Sequence, residues 1–224
     1  MVKQRRGATD DTPLKPAVIF DFDGTIVDSL PAVIKVFEEL TGRDKPYTPV
    51  EVEHYRKFSP IELVSELGIP KWKVPMLMVR GRSALQKHLK DIDLQPGITD
   101  VIKKLHDSGW HLHILSSNST ENVNKYLARH KLKRYFISVY GGASLVGKAP
   151  RLNKLISAQG VDSERSWYVG DETRDIIAAH AVGLRSAAMS WGYNTREALA
   201  LREPTLLVDN AKDLLAGIES NGRS

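Results

Sequence analysis

The chain has 224 residues, of which 42% are hydrophobic, a formal net charge of +5 and no cysteine. That length allows one large domain, or one domain with a small insert, around a real core; the lack of cysteine excludes disulfides, thiolate zinc sites and cysteine nucleophiles. No apolar run reaches the roughly 18 residues of a membrane span, and the N-terminus lacks the apolar stretch of a secretory signal, so a cytoplasmic protein is expected.

Residues 1–15 open Met1-Val2-Lys3-Gln4-Arg5-Arg6 and go on to Asp10-Asp11 and Pro13. They read as a mobile, solvated tail rather than a nucleic-acid arm. The run Ala17–Phe22 predicts a buried strand. Ser29-Leu30-Pro31 starts a helix with proline in its first turn, striped by Leu30, Val33, Ile34, Phe37 and Leu40 and ended by Gly42. Pro60–Leu67 and Val74–Leu89 also read as helices. No strand is predicted between residues 30 and 92, so this span is expected to be an all-helical insert, with the return marked by Leu94-Gln95-Pro96-Gly97.

After the insert, strand and helix alternate. Ile98, Val101, Ile102 and Leu105 have helical spacing, followed by a strand at His111–Ser116. Ser119-Thr120-Glu121-Asn122 opens the helix of Val123, Tyr126 and Leu127, followed by a strand at Phe136–Tyr140. Leu152, Leu155 and Ile156 mark a helix closed by Gly160, and Trp167–Gly170 a strand. Ile176, Ile177 and Ala179 mark a helix closed by Gly183, and strands follow at Arg185–Ser190 and Leu206–Val208. This alternation is the signature of an α/β fold with a parallel sheet. The basic cluster Arg129-His130-Lys131-Leu132-Lys133-Arg134 falls at a helix end, where cations complement the dipole; no aromatic interleaving points to nucleic acid.

Ligands of open parallel sheets bind beyond the carboxyl ends of the strands. The first strand ends in Asp21-Phe22-Asp23-Gly24-Thr25. Residues two apart on a strand point the same way, so Asp21 and Asp23 are expected to face one pocket, where they repel unless a cation or a proton intervenes. The second strand ends Ser116-Ser117-Asn118, the loop after the third holds Gly147-Lys148-Ala149-Pro150, and the fourth ends Gly170-Asp171-Glu172, with Asp175 four residues after Asp171. Carboxylates, a hydroxyl and a lysine at one sheet edge suit phosphoryl transfer. A carboxylate can attack phosphorus, Mg²⁺ on oxygen ligands neutralises the repulsion, lysine and hydroxyl bind the phosphoryl oxygens, and a second carboxylate moves the proton.

Asp21-Phe22-Asp23-Gly24-Thr25-Ile26-Val27-Asp28-Ser29, Ser116, Lys148 and Gly170-Asp171-Glu172-Thr173-Arg174-Asp175 resemble the four ordered motifs of the haloacid dehalogenase superfamily. Trp191-Gly192-Tyr193 and Pro204 with Leu207-Val208-Asp209 look like the C-terminal part of its phosphoglycolate-phosphatase-like members. The resemblance implies a Rossmann-like, three-layer α/β/α core over residues 16–29 and 93–224, with residues 30–92 as a small helical cap that chooses the substrate. It implies Asp21 as nucleophile and Mg²⁺ ligand, and Asp23 as general acid/base with its carbonyl on the metal. Ser116 would bind a phosphoryl oxygen, Lys148 would neutralise phosphoryl group and nucleophile, Asp171 would hold Mg²⁺ directly or through water, and Asp175 would bind Mg²⁺ through water or orient Lys148. Gly24, Thr25, Ser117 and Asn118 join Ser116 and Lys148 as phosphate contacts. An acid at residue 23 favours phosphate-ester hydrolysis, since halide needs no proton.

Several positions have a second reading. Lys148 is followed by Ala149 where many members have proline directly, which leaves Lys154 as a fallback, and Glu172 is a substitute metal ligand. Arg56, Lys57, Arg80 and Arg82 are candidates for contact with an anionic substrate, against a solvated helix face. His111 and His113 alternate on a strand but lack a third ligand for a metal site. The expected function is Mg²⁺-dependent hydrolysis of a small phosphorylated metabolite, with no nucleic-acid or membrane partner. A phosphomutase, or a non-catalytic binding protein that retains the fold, is the alternative; phosphoglycolate, a sugar phosphate and a nucleotide all stay open as ligands.

Overall fold

The computed structural model describes residues 14–73, 92–142 and 147–221, together with Met76 and Arg80. Among them, β1 (Ala17–Phe20), β2 (His111–Leu115), β3 (Ser138–Tyr140), β4 (Trp167–Gly170), β5 (Arg185–Met189) and β6 (Leu206–Val208) form one sheet. Its order is β3-β2-β1-β4-β5-β6, and every neighbouring pair is parallel. All six strands expected from sequence are present: β4 and β6 have the expected bounds, and the other four are shorter by a residue or two.

β1 lies between β2 and β4, in register from Ala17 opposite His111 to Phe20 opposite Ile114. The chain proceeds from β1 to β2 and β3 on one side, then crosses to β4 on the other. The order therefore reverses between β1 and β4, and a crevice is expected beyond their carboxyl ends.

Alternation along the strands divides the core. Val18, Phe20, Leu112, Ile114, Trp167 and Val169 pack on one face against α4 (Ile98–Asp107), α5 (Thr120–Arg129) and α9 (Ala211–Asn221). Ala17, Ile19, Leu115 and Tyr168 pack on the other against α6 (Ala149–Gln159) and α7 (Thr173–Ala181). The short α8 (Arg196–Ala200) covers Ala188 and Ile176 through Leu199. This is the three-layer arrangement expected, and each large apolar side chain so buried contributes about 1.5–3 kcal/mol.

Between β1 and α4 the chain forms α1 (Leu30–Thr41), α2 (Pro49–Tyr55) and α3 (Pro60–Glu66). α1 carries Pro31 in its first turn and is capped by Gly42, whose φ of 65° suits glycine. α2 is not among the helices read from sequence, yet its start is written there: Thr48 and Glu51 form a capping box around Pro49, as Ser59 and Glu62 do around Pro60 in α3. Most of the helix expected at Val74–Leu89 lies outside the described residues; Met76 and Arg80 are helical. The excursion leaves and returns at one place, because Asp28 N–H donates to the Asp93 carbonyl and Gln95 N–H to the Ile26 carbonyl, each at 2.9 Å. Of the expected tail, residues 1–13 lie outside the described residues. Lys15 is tied down instead: it donates to the Gly160 carbonyl and accepts from Asp162 N–H, each at 3.0 Å. No helix among the described residues is long and apolar enough to cross a membrane.

Candidate active site

Beyond the last residue of β1, Asp21 N–H donates to the Val169 carbonyl of β4 at 2.8 Å, which prolongs the ladder by one bond. The chain then folds tightly: Thr25, Ile26 and Val27 N–H all donate to the Phe22 carbonyl. Gly24 has a φ of 78°, in the left-handed region that favours glycine. This turn leaves Asp21 and Asp23 at the crevice mouth, both buried.

Lys148 stands at the cap of α6, fully buried, with its ammonium 2.6 Å from Asp21 Oδ2 and 2.6 Å from Asp175 Oδ1. Burial opposes its charge, but Asp175 and Asp21 outweigh that and hold its pKa well above the usual lysine range. Lys154, the fallback, is exposed on α6. Asp175 lies in the first turn of α7, where its Oδ2 accepts from Glu172 N–H at 3.1 Å. Asp171, after β4, is fully buried; its Oδ1 accepts from the Thr25 hydroxyl at 2.6 Å and its Oδ2 from Tyr193 N–H at 2.7 Å.

Asp21, Asp171 and Asp175 each offer one carboxylate oxygen within 4.8 Å of the others. Burial pushes Asp21 up to about 7, against the pull of Lys148. Burial, with Glu172 and Asp21 nearby, pushes Asp171 well above the usual carboxylate range. Asp21 Oδ1 has no hydrogen-bond partner among the described residues. Three converging carboxylates, one with an orphaned buried oxygen, fit a hard divalent cation. The carboxyl of Asp23 is outside this cluster. It accepts from Asn118 Nδ2 at 3.2 Å, and burial raises it to about 6 although that bond lowers it.

Past β2, Ser116 is fully buried, and its hydroxyl accepts from Asn118 N–H at 3.0 Å. Ser117, Asn118 and Asp23 line a cavity of about 320 Å³ that continues along apolar side chains of α1 to α3, among them Leu30, Val33, Phe37 and Leu63. Gly24 and Thr25, expected to touch phosphate, use their donors within the protein. Gly24 N–H goes to the Val27 carbonyl and to Ser29 Oγ, and the Thr25 hydroxyl goes to Asp171. Glu172 pairs with Arg174 rather than joining the acidic cluster.

Of the expected substrate contacts, Arg56 lines the cavity, but its guanidinium donates to the carbonyls of Ser190 and Gly192 and to Glu53. Lys57 and Arg80 are exposed, and Arg82 lies outside the described residues. His113 is a core residue against the Ser138 hydroxyl, and burial lowers it to about 4. Sequence reasoning gave Ser29 no contact at the site and passed over Asn194. Ser29 Oγ lies 2.7 Å from the Tyr193 hydroxyl, and Asn194 donates to the backbone just after α2. Nothing local in sequence marks contacts made across more than 130 residues.

The model of the haloacid dehalogenase-like hydrolase family matches residues 18–189. The chain belongs to that family. It is 36% identical to a phosphoglycolate phosphatase of Synechococcus elongatus, over 90% of this chain and 96% of that protein. A phosphoglycolate phosphatase of Aliivibrio fischeri is 30% identical over 89% and 94%. A crystal structure described as a predicted phosphatase from Clostridium acetobutylicum superposes with a TM-score of 0.76 at 22% identity, covering 92% of this chain and 99% of that one; at that identity the likeness speaks for the fold. The chain is a phosphatase of the haloacid dehalogenase-like family.

Proposed function

We propose that this phosphatase is a Mg²⁺-dependent phosphomonoester hydrolase working through an aspartyl-phosphate on Asp21, with a small phosphorylated metabolite as substrate and phosphoglycolate the first to test. The observation that carries the reading is the buried Asp21–Lys148–Asp175 arrangement beside Asp171. Asp21, Asp171 and Asp175 would hold Mg²⁺, which offsets the negative charge of carboxylate and phosphate.

The residues divide the work. A carboxylate oxygen of Asp21 attacks phosphorus, and the ester P–O bond breaks. Asp23, whose raised pKa keeps a proton available, protonates the departing oxygen. Asp23 then takes a proton from water as that water attacks the aspartyl-phosphate; inorganic phosphate leaves and Asp21 is restored. Lys148 favours the ionised form of Asp21 and aims it, while Ser116 and Ser117 supply donors to the phosphoryl oxygens. The helices α1 to α3, whose side chains line the cavity, act as a cap, excluding water and selecting the organic portion of the substrate.

The test is phosphate release from an aryl phosphate, phosphoglycolate and a panel of sugar phosphates and nucleotides. Activity should require Mg²⁺, vanish with EDTA and vanish in Asp21→Asn with circular dichroism unchanged. Retained turnover in Asp21→Asn overturns the nucleophile. Failure of the whole panel overturns the hydrolase reading.

A further inference from the structure

The segment Ser190–Thr195, between β5 and α8, is where the helical excursion meets the acidic cluster. Asn194 within it is 2% exposed. Its Oδ1 accepts from the N–H of Thr173, the first residue of α7, at 2.8 Å. Its Nδ2 donates to the carbonyls of Arg56 at 2.8 Å and Phe58 at 2.9 Å, just past α2. The partners fix the amide's orientation, since an N–H needs the oxygen and two carbonyls need the nitrogen.

The joint is reinforced from both sides. Arg56 Nε donates to the Gly192 carbonyl at 3.1 Å and its terminal nitrogen to the Ser190 carbonyl at 2.8 Å, while Thr195 N–H donates to the Arg56 carbonyl at 3.1 Å. On the acidic side, Tyr193 N–H holds Asp171 Oδ2 at 2.7 Å, and Asn194 N–H reaches the Asp171 carbonyl at 3.2 Å. The Tyr193 hydroxyl lies 2.7 Å from Ser29 Oγ, which accepts from Gly24 N–H at 3.0 Å. One six-residue segment thus touches Asp171, the helix start that carries Asp175, the turn after Asp21 and the end of α2.

We propose that Asn194 is a positioning residue for the phosphatase reaction: its amide locks the end of α2 to the start of α7, so that the helices over the cavity and the cation-binding carboxylates take up their working places together. Partners that orient metal ligands typically change metal affinity or activity by about 10–100-fold when lost. The carbonyls after α2 are helix-end acceptors with no intrahelical donor, so an amide that satisfies them also fixes where that helix stops. The kinetic half of this inference rests on the hydrolase reading above; the binding half does not.

Asn194→Ala in the full chain tests it. Mg²⁺ affinity, measured by titration calorimetry without substrate, should weaken by about tenfold. The KM for the best substrate should rise by a similar factor, with kcat at saturating Mg²⁺ and substrate falling much less. A stability control is Leu155→Ala, in the apolar core between α6 and the sheet, which should lower the melting temperature without moving Mg²⁺ affinity or KM. If Asn194→Ala does not fold, Arg56→Met loosens the joint from the other side and should shift the same two quantities in the same direction by a smaller factor. The proposal is overturned if the folded variant keeps Mg²⁺ affinity and KM within about twofold of wild type, or if Leu155→Ala shifts them equally. A wild type that hydrolyses nothing overturns the hydrolase reading, while the Mg²⁺ titration still decides on Asn194.

Discussion

The Lys148 ammonium lies 2.6 Å from Asp21 Oδ2 with both side chains all but closed to solvent. The same nitrogen is 2.6 Å from Asp175 Oδ1, so one buried cation balances two carboxylates. Lys148→Met keeps the volume and deletes the charge, which leaves the acids facing each other in a poorly screening interior. Removing one partner of a buried ion pair costs about 3–5 kcal/mol. Urea denaturation in EDTA should show a loss of that size, partly restored by Mg²⁺, and turnover should fall by roughly 10²–10³. Unchanged stability in EDTA would mean that Lys148 is not the counter-charge.

Asn118 is expected to tune the proton carrier. Its Nδ2–H bond to Asp23 favours the ionised carboxylate and so opposes burial, which has raised Asp23 to about 6. Leaving-group protonation needs Asp23 protonated, so kcat/KM falls on the alkaline side of that pKa. In Asn118→Ala the pKa rises further, and the alkaline limb of the kcat/KM profile should move to higher pH. A limb that stays put, or moves to lower pH, contradicts Asp23 as the acid.

How much of this was legible in the sequence follows from the range of each contact. The strands and the order Asp21, Ser116, Lys148, Asp171 could be read because each motif is local: an apolar run, then a polar end. α2 escaped because it has no buried apolar residue to give it a stripe, although its Thr48–Glu51 capping box was there to be read. Arg56 suggested an anion contact from its charge alone, whereas its guanidinium holds carbonyls more than 130 residues away. Thr25 sits in the first motif and suggested a phosphate contact, yet its hydroxyl faces Asp171 across the sheet edge. Partners of this kind depend on how β1, β4 and the loop after β5 converge, which no local pattern encodes.

Asp21 and Asp23 also set a pH dependence for the metal-free protein. Asp21 at about 7 and Asp23 at about 6 lie above the value near 3.9 of an unfolded aspartate. The native state therefore keeps protons that the unfolded chain releases. This contribution to stability is fully present below about pH 4 and is lost as pH rises through 6 to 7. Mg²⁺ binds the ionised carboxylates and counters that loss, so the rise in melting temperature from EDTA to Mg²⁺ should be larger at pH 8 than at pH 5. Asp21→Asn should flatten the difference. An equal or larger Mg²⁺ effect at pH 5 contradicts the picture of buried, cation-seeking carboxylates.

Two glycines from distant parts of the chain press on one carboxylate. A Cβ added at Gly24 would lie 2.1 Å from Asp171 Oδ2, and so would one added at Gly192. Neither distance is tolerable, so the Asp171 carboxylate or the backbone has to move. At Gly24 the left-handed φ of 78° adds strain for any L side chain, whereas at Gly192 the close approach acts alone. Gly192→Ala is therefore the cleaner probe: it should weaken Mg²⁺ activation by about tenfold or more. Gly24→Ala should do the same and also lower the melting temperature further, because the turn that carries Asp23 is strained. At Gly109, also left-handed but with open space around its Cβ position, alanine should affect stability alone. If Gly192→Ala binds Mg²⁺ as tightly as wild type, the carboxylate of Asp171 is not held where the cation needs it.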